Sequence, residues 1–220
     1  MKKEIPNLLT LSNLLCGCLG IWQIHTGNSR YALYALGASL VFDFLDGAVA
    51  RALRVSSPLG KELDSLADMV SFGVMPGLLV FVYLDARLGA MWAQVAWLIP
   101  LLSAYRLAQF NIDTAQSEHF LGLPTPAHAA FWVPLPWLAE GLVPVGLVFG
   151  ASLVMPVLLV LRFPLFSLKF KRFSWQDNEI RWVFLLLLVG TLALGGIAWI
   201  PPLVVAYVLL SLVFPPDRSA

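Results

Sequence analysis

The stretch "VFDFLDGAVARALRVSSPLGKELDSLADMVSFG" (41–73) carries four aspartates within two apolar regions of the chain. Asp43 and Asp46 are spaced i, i+3, and Asp64 and Asp68 are spaced i, i+4. Each pair therefore shares one face of a helix. The polar connection at 52–61 is short enough to make the two helices antiparallel neighbours. The stretch predicts a helical hairpin whose two acidic faces meet.

The composition around this hairpin is that of a membrane protein. Of 220 residues, 59% are hydrophobic and 12% are charged, and the mean hydropathy is +0.81. Soluble domains carry about 25% charged residues, so a polytopic membrane protein is indicated. A net charge of +1 argues against a nucleic-acid-binding surface. The spacing of Cys16 and Cys18 fits neither a zinc site nor a redox motif.

Apolar runs separated by polar or Pro/Gly breaks predict an all-α transmembrane helix bundle of about eight helices. We expect a single transmembrane catalytic domain over 1–220, with a six-helix core and the last two segments (181–214) peripheral. A bundle of six helices is the alternative. The first run is expected to be a retained helix, because no cleavage site follows it. The predicted segments are 8–25, 31–53, 62–84, 88–110, 126–143, 145–162, 181–199 and 201–214.

The distribution of basic residues predicts the orientation of these segments. With a cytoplasmic N-terminus and eight helices, only Arg30 and Arg87 of the 14 lysines and arginines fall on the outer side. Cytoplasmic loops are enriched in lysine and arginine. We therefore expect an integral protein of the cell (inner) membrane, with the aspartate hairpin and the N-terminus facing the cytoplasm.

The negative charge of four converging carboxylates must be neutralised. An ionised aspartate near the bilayer centre costs about 2.5–3.5 kcal/mol on insertion scales, and neighbouring carboxylates also repel one another. Hard divalent cations remove that repulsion, since oxygen ligands suit Mg²⁺, Mn²⁺ or Ca²⁺. Asp43, Asp46, Asp64 and Asp68 are therefore predicted metal ligands. A cation or proton transporter that uses the aspartates as a relay is the alternative.

The residues between the aspartates suit a phosphate ligand. Gly47 has no side chain and allows close approach of a ligand to the backbone. Arg51 can supply a bidentate phosphate contact. Ser57 lies in the turn, and Gly60 opens the next helix.

The full spacing reads D-x2-D-G-x2-A-R-x8-G-x3-D-x3-D from Asp43 to Asp68. This pattern resembles the signature of the CDP-alcohol phosphotransferase superfamily. Further stretches, over roughly 5–175, resemble the integral-membrane phosphatidylserine synthases within it. They are "IPNLLTLSNLLCGCLGI" (5–21), "FDFLDGAVAR" (42–51), "ELDSLADMVSFGVMP" (62–76), "YRLAQFN" (105–111), "GLPTPA" (122–127) and "PLFSLKFK" (164–171).

The resemblance implies a reaction in phospholipid biosynthesis: CDP-diacylglycerol and L-serine give phosphatidylserine and CMP. It implies that the four aspartates hold two divalent cations, Mg²⁺ or Mn²⁺ with Ca²⁺ possible, and that Asp68 also accepts the proton of the serine hydroxyl. It further implies a homodimer. The residues that it assigns to the CDP-lipid are Asn7, Thr10, Gly47, Arg51, Ser57 and Gly60.

The acceptor alcohol is less constrained by the sequence. Arg106 is the natural partner for a serine carboxylate, with Asn111 as a polar neighbour. Gln109 stands where the resemblance leads us to expect an arginine, which leaves Arg106 as the better candidate. Glycerol 3-phosphate or inositol phosphate are alternative acceptors, but a phosphorylated acceptor would call for more basic residues near the motif. His25, His119 and His128 are scattered, and none is placed to act as a nucleophile.

Overall fold

A computed structural model describes residues 4–112, 122–134, 143–161, 163, 190 and 196–213. Within these residues the protein is helical and contains no strand. The principal helices are α1 (Glu4–His25), α2 (Tyr31–Leu53), α3 (Pro58–Leu88), α4 (Leu98–Ile112), α5 (Thr125–Trp132), α6 (Val145–Val160) and α7 (Ile200–Val213). A helical turn at Ala90–Ala93 and a 3-10 turn at Gln94–Trp97 lead into α4.

The first helix exposes apolar side chains and buries polar ones, the reverse of a helix on the surface of a soluble protein. Large apolar side chains such as Leu8, Leu15 and Trp22 are exposed on its outer face. Its buried face carries small and polar residues at helical spacing. A lipid environment explains this arrangement, because hydrocarbon is a good solvent for the outer face. The buried residues of the helix are Pro6, Asn7, Thr10, Asn13, Gly17, Gly20 and Ile24.

A tight turn joins α2 to α3 and makes them antiparallel. Helix α2 ends at Leu53 because Arg54 adopts the left-handed conformation, with φ of 53°. Ser57 then caps α3, accepting a hydrogen bond from the Gly60 backbone N–H at 2.9 Å. Pro58 occupies the first turn of the helix, where its missing N–H costs nothing. The predicted hairpin is therefore present, and its turn lies beside the aspartates.

Helix α3 widens into a π-helical turn at Met69–Val74, directly after Asp68. Such turns are frequent at functional sites. The turn packs closely on α1: a Cβ added to Gly17 would lie 2.9 Å from the Ser71 Cα. The Ser71 hydroxyl also donates to the Asn13 carbonyl oxygen at 3.0 Å. These contacts fix Asp68 relative to the first helix.

Two apolar clusters form the buried core of the bundle. One joins α1, α2 and α3 through residues such as Ile24, Leu36 and Met75. The other is centred on Trp132 and Ile99 and extends over α3 to α7. Neither cluster includes a residue of the turn between α2 and α3. The buried polar residues of α1, α2 and α3 gather instead around the aspartates.

The prediction of an all-α membrane protein is confirmed. Three helices, Glu4–His25, Tyr31–Leu53 and Pro58–Leu88, are long and apolar enough to cross a membrane. The third begins before the predicted 62, because Ser57 and Pro58 start it earlier. The predicted run at 88–110 is interrupted by the 3-10 turn. Most of the predicted segment at 181–199 lies outside the described residues, as do 135–142 of the fifth segment.

Candidate active site

Three of the four aspartates form an acidic cluster. Asp43 of α2 and Asp64 and Asp68 of α3 each offer a carboxylate oxygen, and these oxygens all lie within 4.8 Å of one another. Asp43 and Asp64 are half-buried, and Asp68 is buried. The i, i+4 spacing on α3 and the antiparallel packing of α2 bring the three side chains together, as the sequence predicts.

The fourth aspartate, Asp46, is held slightly apart from the cluster. It is buried, and its Oδ2 accepts a 2.6 Å hydrogen bond from the Thr10 hydroxyl of α1. Arg51, five residues further along α2, attracts its carboxylate. A Cβ on Gly47 would lie 3.2 Å from the Arg51 Nη1. The missing side chain of Gly47 thus leaves room for the guanidinium of Arg51 beside Asp46.

Asn13 is a site residue that the sequence interpretation missed. Its side chain is fully buried, and its Nδ2 donates to Asp68 Oδ1 at 3.2 Å. Its own Oδ1 is buried without a hydrogen-bond partner. A signal was available, because Asn7, Thr10 and Asn13 recur every three residues on an otherwise apolar helix and share one face.

The acidic cluster fits divalent cations. The carboxylates repel one another, and neither Asp43 nor Asp64 makes an ion pair with a lysine or arginine in the part of the chain that the structure describes. Carboxylate oxygen is the donor preferred by Mg²⁺, Mn²⁺ and Ca²⁺. The cluster could therefore bind a metal ion, with hydrogen bonds from Thr10 and Asn13 orienting Asp46 and Asp68 from behind.

A cleft of about 250 Å³ opens beside the cluster, between the start of α1 and the turn joining α2 to α3. The α3 N-terminus, which favours anions because its N–H groups lack helical partners, forms one wall. Five of the six residues assigned to the CDP-lipid line this cleft, and the sixth, Arg51, lies next to it. The cleft is lined by Pro6, Asn7, Thr10, Asp46, Gly47, Ala50, Val55, Ser56, Ser57, Gly60, Lys61 and Asp64.

Arg106 and Asn111, predicted for the acceptor, lie in different surroundings. Arg106 is buried, attracts Asp68 and donates from Nη1 to the Thr125 hydroxyl at 3.4 Å. The Asn111 amide donates to Glu62 Oε2 at 3.3 Å and to Ser65 Oγ at 3.0 Å. The Lys61 ammonium donates to the Asn111 carbonyl oxygen at 2.6 Å. Asn111 therefore ties the end of α4 to α3, whereas Arg106 is buried against Thr125 and interacts electrostatically with Asp68.

Comparison with known proteins shows which family contains a domain of this sequence. Residues 3–168 match the CDP-alcohol phosphatidyltransferase family, and this span contains all twelve predicted site residues. The chain belongs to this family. The match covers both helices of the aspartate hairpin, the cleft and Arg106, so the site described above is part of the shared domain.

Several relatives carry the name CDP-diacylglycerol–serine O-phosphatidyltransferase. The protein of Helicobacter pylori (strain J99) is 40% identical over 130 residues, which are 58% of this chain and 55% of the relative. That of Bacillus subtilis is 34% identical over 122 residues, 56% of this chain and 69% of the relative. That of Methanocaldococcus jannaschii is 38% identical over 129 residues, which are 59% of this chain and 58% of the relative. The chain thus spans little more than half the length of the first of these relatives.

Proposed function

We propose that this protein is a CDP-diacylglycerol–serine O-phosphatidyltransferase, which transfers the phosphatidyl group of CDP-diacylglycerol to the hydroxyl of L-serine and releases CMP. One observation carries the proposal. The oxygens of Asp43, Asp64 and Asp68 converge within 4.8 Å beside a cleft lined by the residues assigned to the CDP-lipid. The names of the relatives support serine as the acceptor.

Asp43, Asp64 and Asp68 would hold two divalent cations together with Asp46. When bound, such ions would neutralise the negative charge that develops on a transferring phosphoryl group and on its leaving oxygen. The protein's own contribution is to fix the four carboxylates. Thr10 fixes Asp46 and Asn13 fixes Asp68 through the hydrogen bonds from α1, so three helices share the task.

The cleft would take the CDP moiety. The N–H groups at the start of α3 and the basic side chain of Lys61 favour the pyrophosphate there, and Arg51 adds a second basic side chain next to the cleft. Asn7 and Ser57 add polar side chains to the same wall. The diacylglycerol chains extend from this end of the bundle into the lipid that covers the exposed apolar faces of α1 and α2.

Asp68 is the proposed proton acceptor. It takes the proton of the serine hydroxyl, and the serine oxygen attacks the phosphorus that bears diacylglycerol. The bond from that phosphorus to the bridging oxygen breaks, and CMP leaves with the bridging oxygen. Because neither His25 nor His128 is among the residues that line the cleft, we propose a direct displacement without a covalent intermediate. Arg106, which attracts Asp68, would hold the serine carboxylate next to the proton acceptor, with Asn111 as a polar neighbour.

We further propose that the site faces the cytoplasm from the cell (inner) membrane, that 1–220 is one catalytic domain with 181–214 peripheral, and that the protein acts as a homodimer. The positive-inside distribution of lysine and arginine supports the orientation. A site at the membrane surface suits a substrate whose lipid chains remain in the bilayer while its head group stays at the interface.

An acceptor panel tests the proposal. The purified protein in detergent with Mn²⁺ is given CDP-diacylglycerol and either L-serine, glycerol 3-phosphate or inositol phosphate, and CMP is measured. Release that depends on serine is the expected result. Release with another alcohol alone would assign the same chemistry to a different acceptor. No release, together with cation or proton flux into liposomes, would favour the transporter that the sequence leaves open.

A further inference from the structure

A second polar cluster is buried between α4 and α5, next to Asp68. Ser103 and Arg106 lie one turn apart on α4, and Thr125 and His128 lie one turn apart on α5. All four side chains are at most 8% exposed. Arg106 connects the cluster to the acidic site, since it attracts Asp68 and donates to Thr125 Oγ1 at 3.4 Å.

Three atoms of this cluster are buried and have no hydrogen-bond partner among the residues that the structure describes. They are Ser103 Oγ, Arg106 Nε and His128 Nδ1. Buried polar atoms are nearly always paired in folded proteins, and each unpaired one calls for an explanation. The three atoms belong to two helices that the hydrogen bond from Arg106 to Thr125 joins, which makes them candidates to bind one ligand.

The chemistry of the three atoms indicates what kind of ligand they would bind. Trp132 Nε1 donates to His128 Nε2 at 2.9 Å, and an indole nitrogen can only donate. His128 Nε2 is therefore the acceptor nitrogen, and Nδ1 carries the proton and must donate. Arg106 Nε is also a donor, and a serine hydroxyl can donate. The cluster therefore offers three unused donors and calls for an acceptor with several lone pairs.

We propose that Ser103, Arg106 and His128 form the subsite for the carboxylate of the amino-acid acceptor, with Trp132 holding His128 as a donor. The inference rests on the proposed function and deepens it, because it places the recognition of a carboxylate on α4 and α5. A carboxylate has two oxygens and about four lone-pair sites and can accept all three bonds. Arg106 of the subsite interacts electrostatically with Asp68, so we expect a bound amino acid to present its hydroxyl on the side of the proton acceptor.

This arrangement also explains how serine is distinguished from alcohols without a carboxylate. A site that presents buried donors rejects an analogue that cannot pair with them, because the donors are then left unsatisfied. Ethanolamine keeps the hydroxyl and ammonium groups of serine and lacks only the carboxylate. It is therefore the matched probe for the subsite.

The test compares His128→Ala, His128→Asn and Ser103→Ala with the unmodified protein, using the KM for L-serine and the inhibition constant of ethanolamine. Loss of a hydrogen bond to a charged group predicts a rise in serine KM of roughly ten- to a hundredfold for His128→Ala. The ethanolamine constant and the KM for CDP-diacylglycerol should change less than about twofold. Asparagine places an amide donor near the imidazole Nδ1, so His128→Asn should recover most of the affinity for serine.

Ser152→Ala is the control for a buried polar group outside the subsite, since the Ser152 hydroxyl donates only to the Val148 carbonyl oxygen of its own helix. If His128→Ala does not fold, Ser103→Ala removes one donor with little change in volume and carries the test. An unchanged serine KM in the folded variants would overturn the subsite, and would indicate that buried water satisfies these donors. Failure of the unmodified protein to release CMP with serine would instead overturn the proposed function.

Discussion

The hydrogen bond from Asn13 to Asp68 gives the sharpest prediction about the catalytic machinery. Asn13→Leu keeps the volume of the side chain and removes the amide that donates to Asp68 Oδ1 at 3.2 Å. The bonds from Ser39 and Ser71 go to the Asn13 backbone carbonyl at 3.2 and 3.0 Å and do not need its side chain. The helix packing should therefore survive while Asp68 loses its orientation.

The magnitude follows from the type of bond. A buried hydrogen bond to a charged group contributes about 1.5–3 kcal/mol, and residues that orient metal ligands from behind typically affect metal affinity or activity by about 10–100-fold. We expect Asn13→Leu to lower kcat by roughly ten- to a hundredfold. The KM for CDP-diacylglycerol should rise far less, since Asn13 does not line the cleft.

The assay is CMP release from CDP-diacylglycerol with saturating L-serine, measured over a range of Mn²⁺ concentrations. Ser12→Ala is the matched control on the same helix, because the Ser12 hydroxyl donates to the Leu8 carbonyl oxygen of its own helix. A kcat for Asn13→Leu equal to that of Ser12→Ala would refute the role of Asn13 in holding Asp68.

Three further predictions concern Asp46, the helix packing and the metal. Thr10→Val removes the 2.6 Å hydrogen bond to Asp46 and should raise the Mn²⁺ concentration needed for activity about tenfold. Thr10→Ser keeps the hydroxyl and should behave as the unmodified protein. Equal Mn²⁺ dependence in the two variants would contradict this role of Thr10. Gly17→Val forces a Cβ within 2.9 Å of the Ser71 Cα and should lower the free energy of unfolding by about 1–3 kcal/mol. Gly37→Ala, with no atom within 4 Å of its Cβ, is the control in the same unfolding titration, and equal stability of the two variants would exclude tight packing of α1 on α3. Chelation with EDTA should abolish CMP release, and added Mg²⁺ or Mn²⁺ should restore it. Activity that persists in EDTA would show that CMP release does not require a divalent cation.

The aspartate hairpin could be predicted from sequence because it depends on local spacing. Helical periodicity fixes which face carries Asp64 and Asp68, and a ten-residue connection leaves the two helices little choice but to pack together. The same local rules indicated the turn residues Ser57 and Gly60. Their capping bond at 2.9 Å and their place in the cleft agree with that interpretation.

Features that depend on contacts between distant segments could not be predicted in this way. Asn13 bonds Asp68 across 55 positions of sequence, and nothing in the local pattern states which helix faces α1. Asn111 was predicted only as a polar neighbour of Arg106, yet its amide bonds Glu62 and Ser65 of α3. The pairing of His128 with Trp132 has helical spacing, but its proximity to Arg106 follows only from the packing of α5 on α4.

The most direct test of the central claim is the transfer of serine into lipid. Radiolabelled L-serine, CDP-diacylglycerol and Mn²⁺ are incubated with the purified protein. The label in phosphatidylserine is counted, and the released CMP is measured separately. We predict equal amounts of the two products, and neither product from the Asp68→Asn variant. CMP release without label in the lipid, or full activity in Asp68→Asn, would contradict the assignment of the aspartate hairpin to phosphatidyl transfer onto serine.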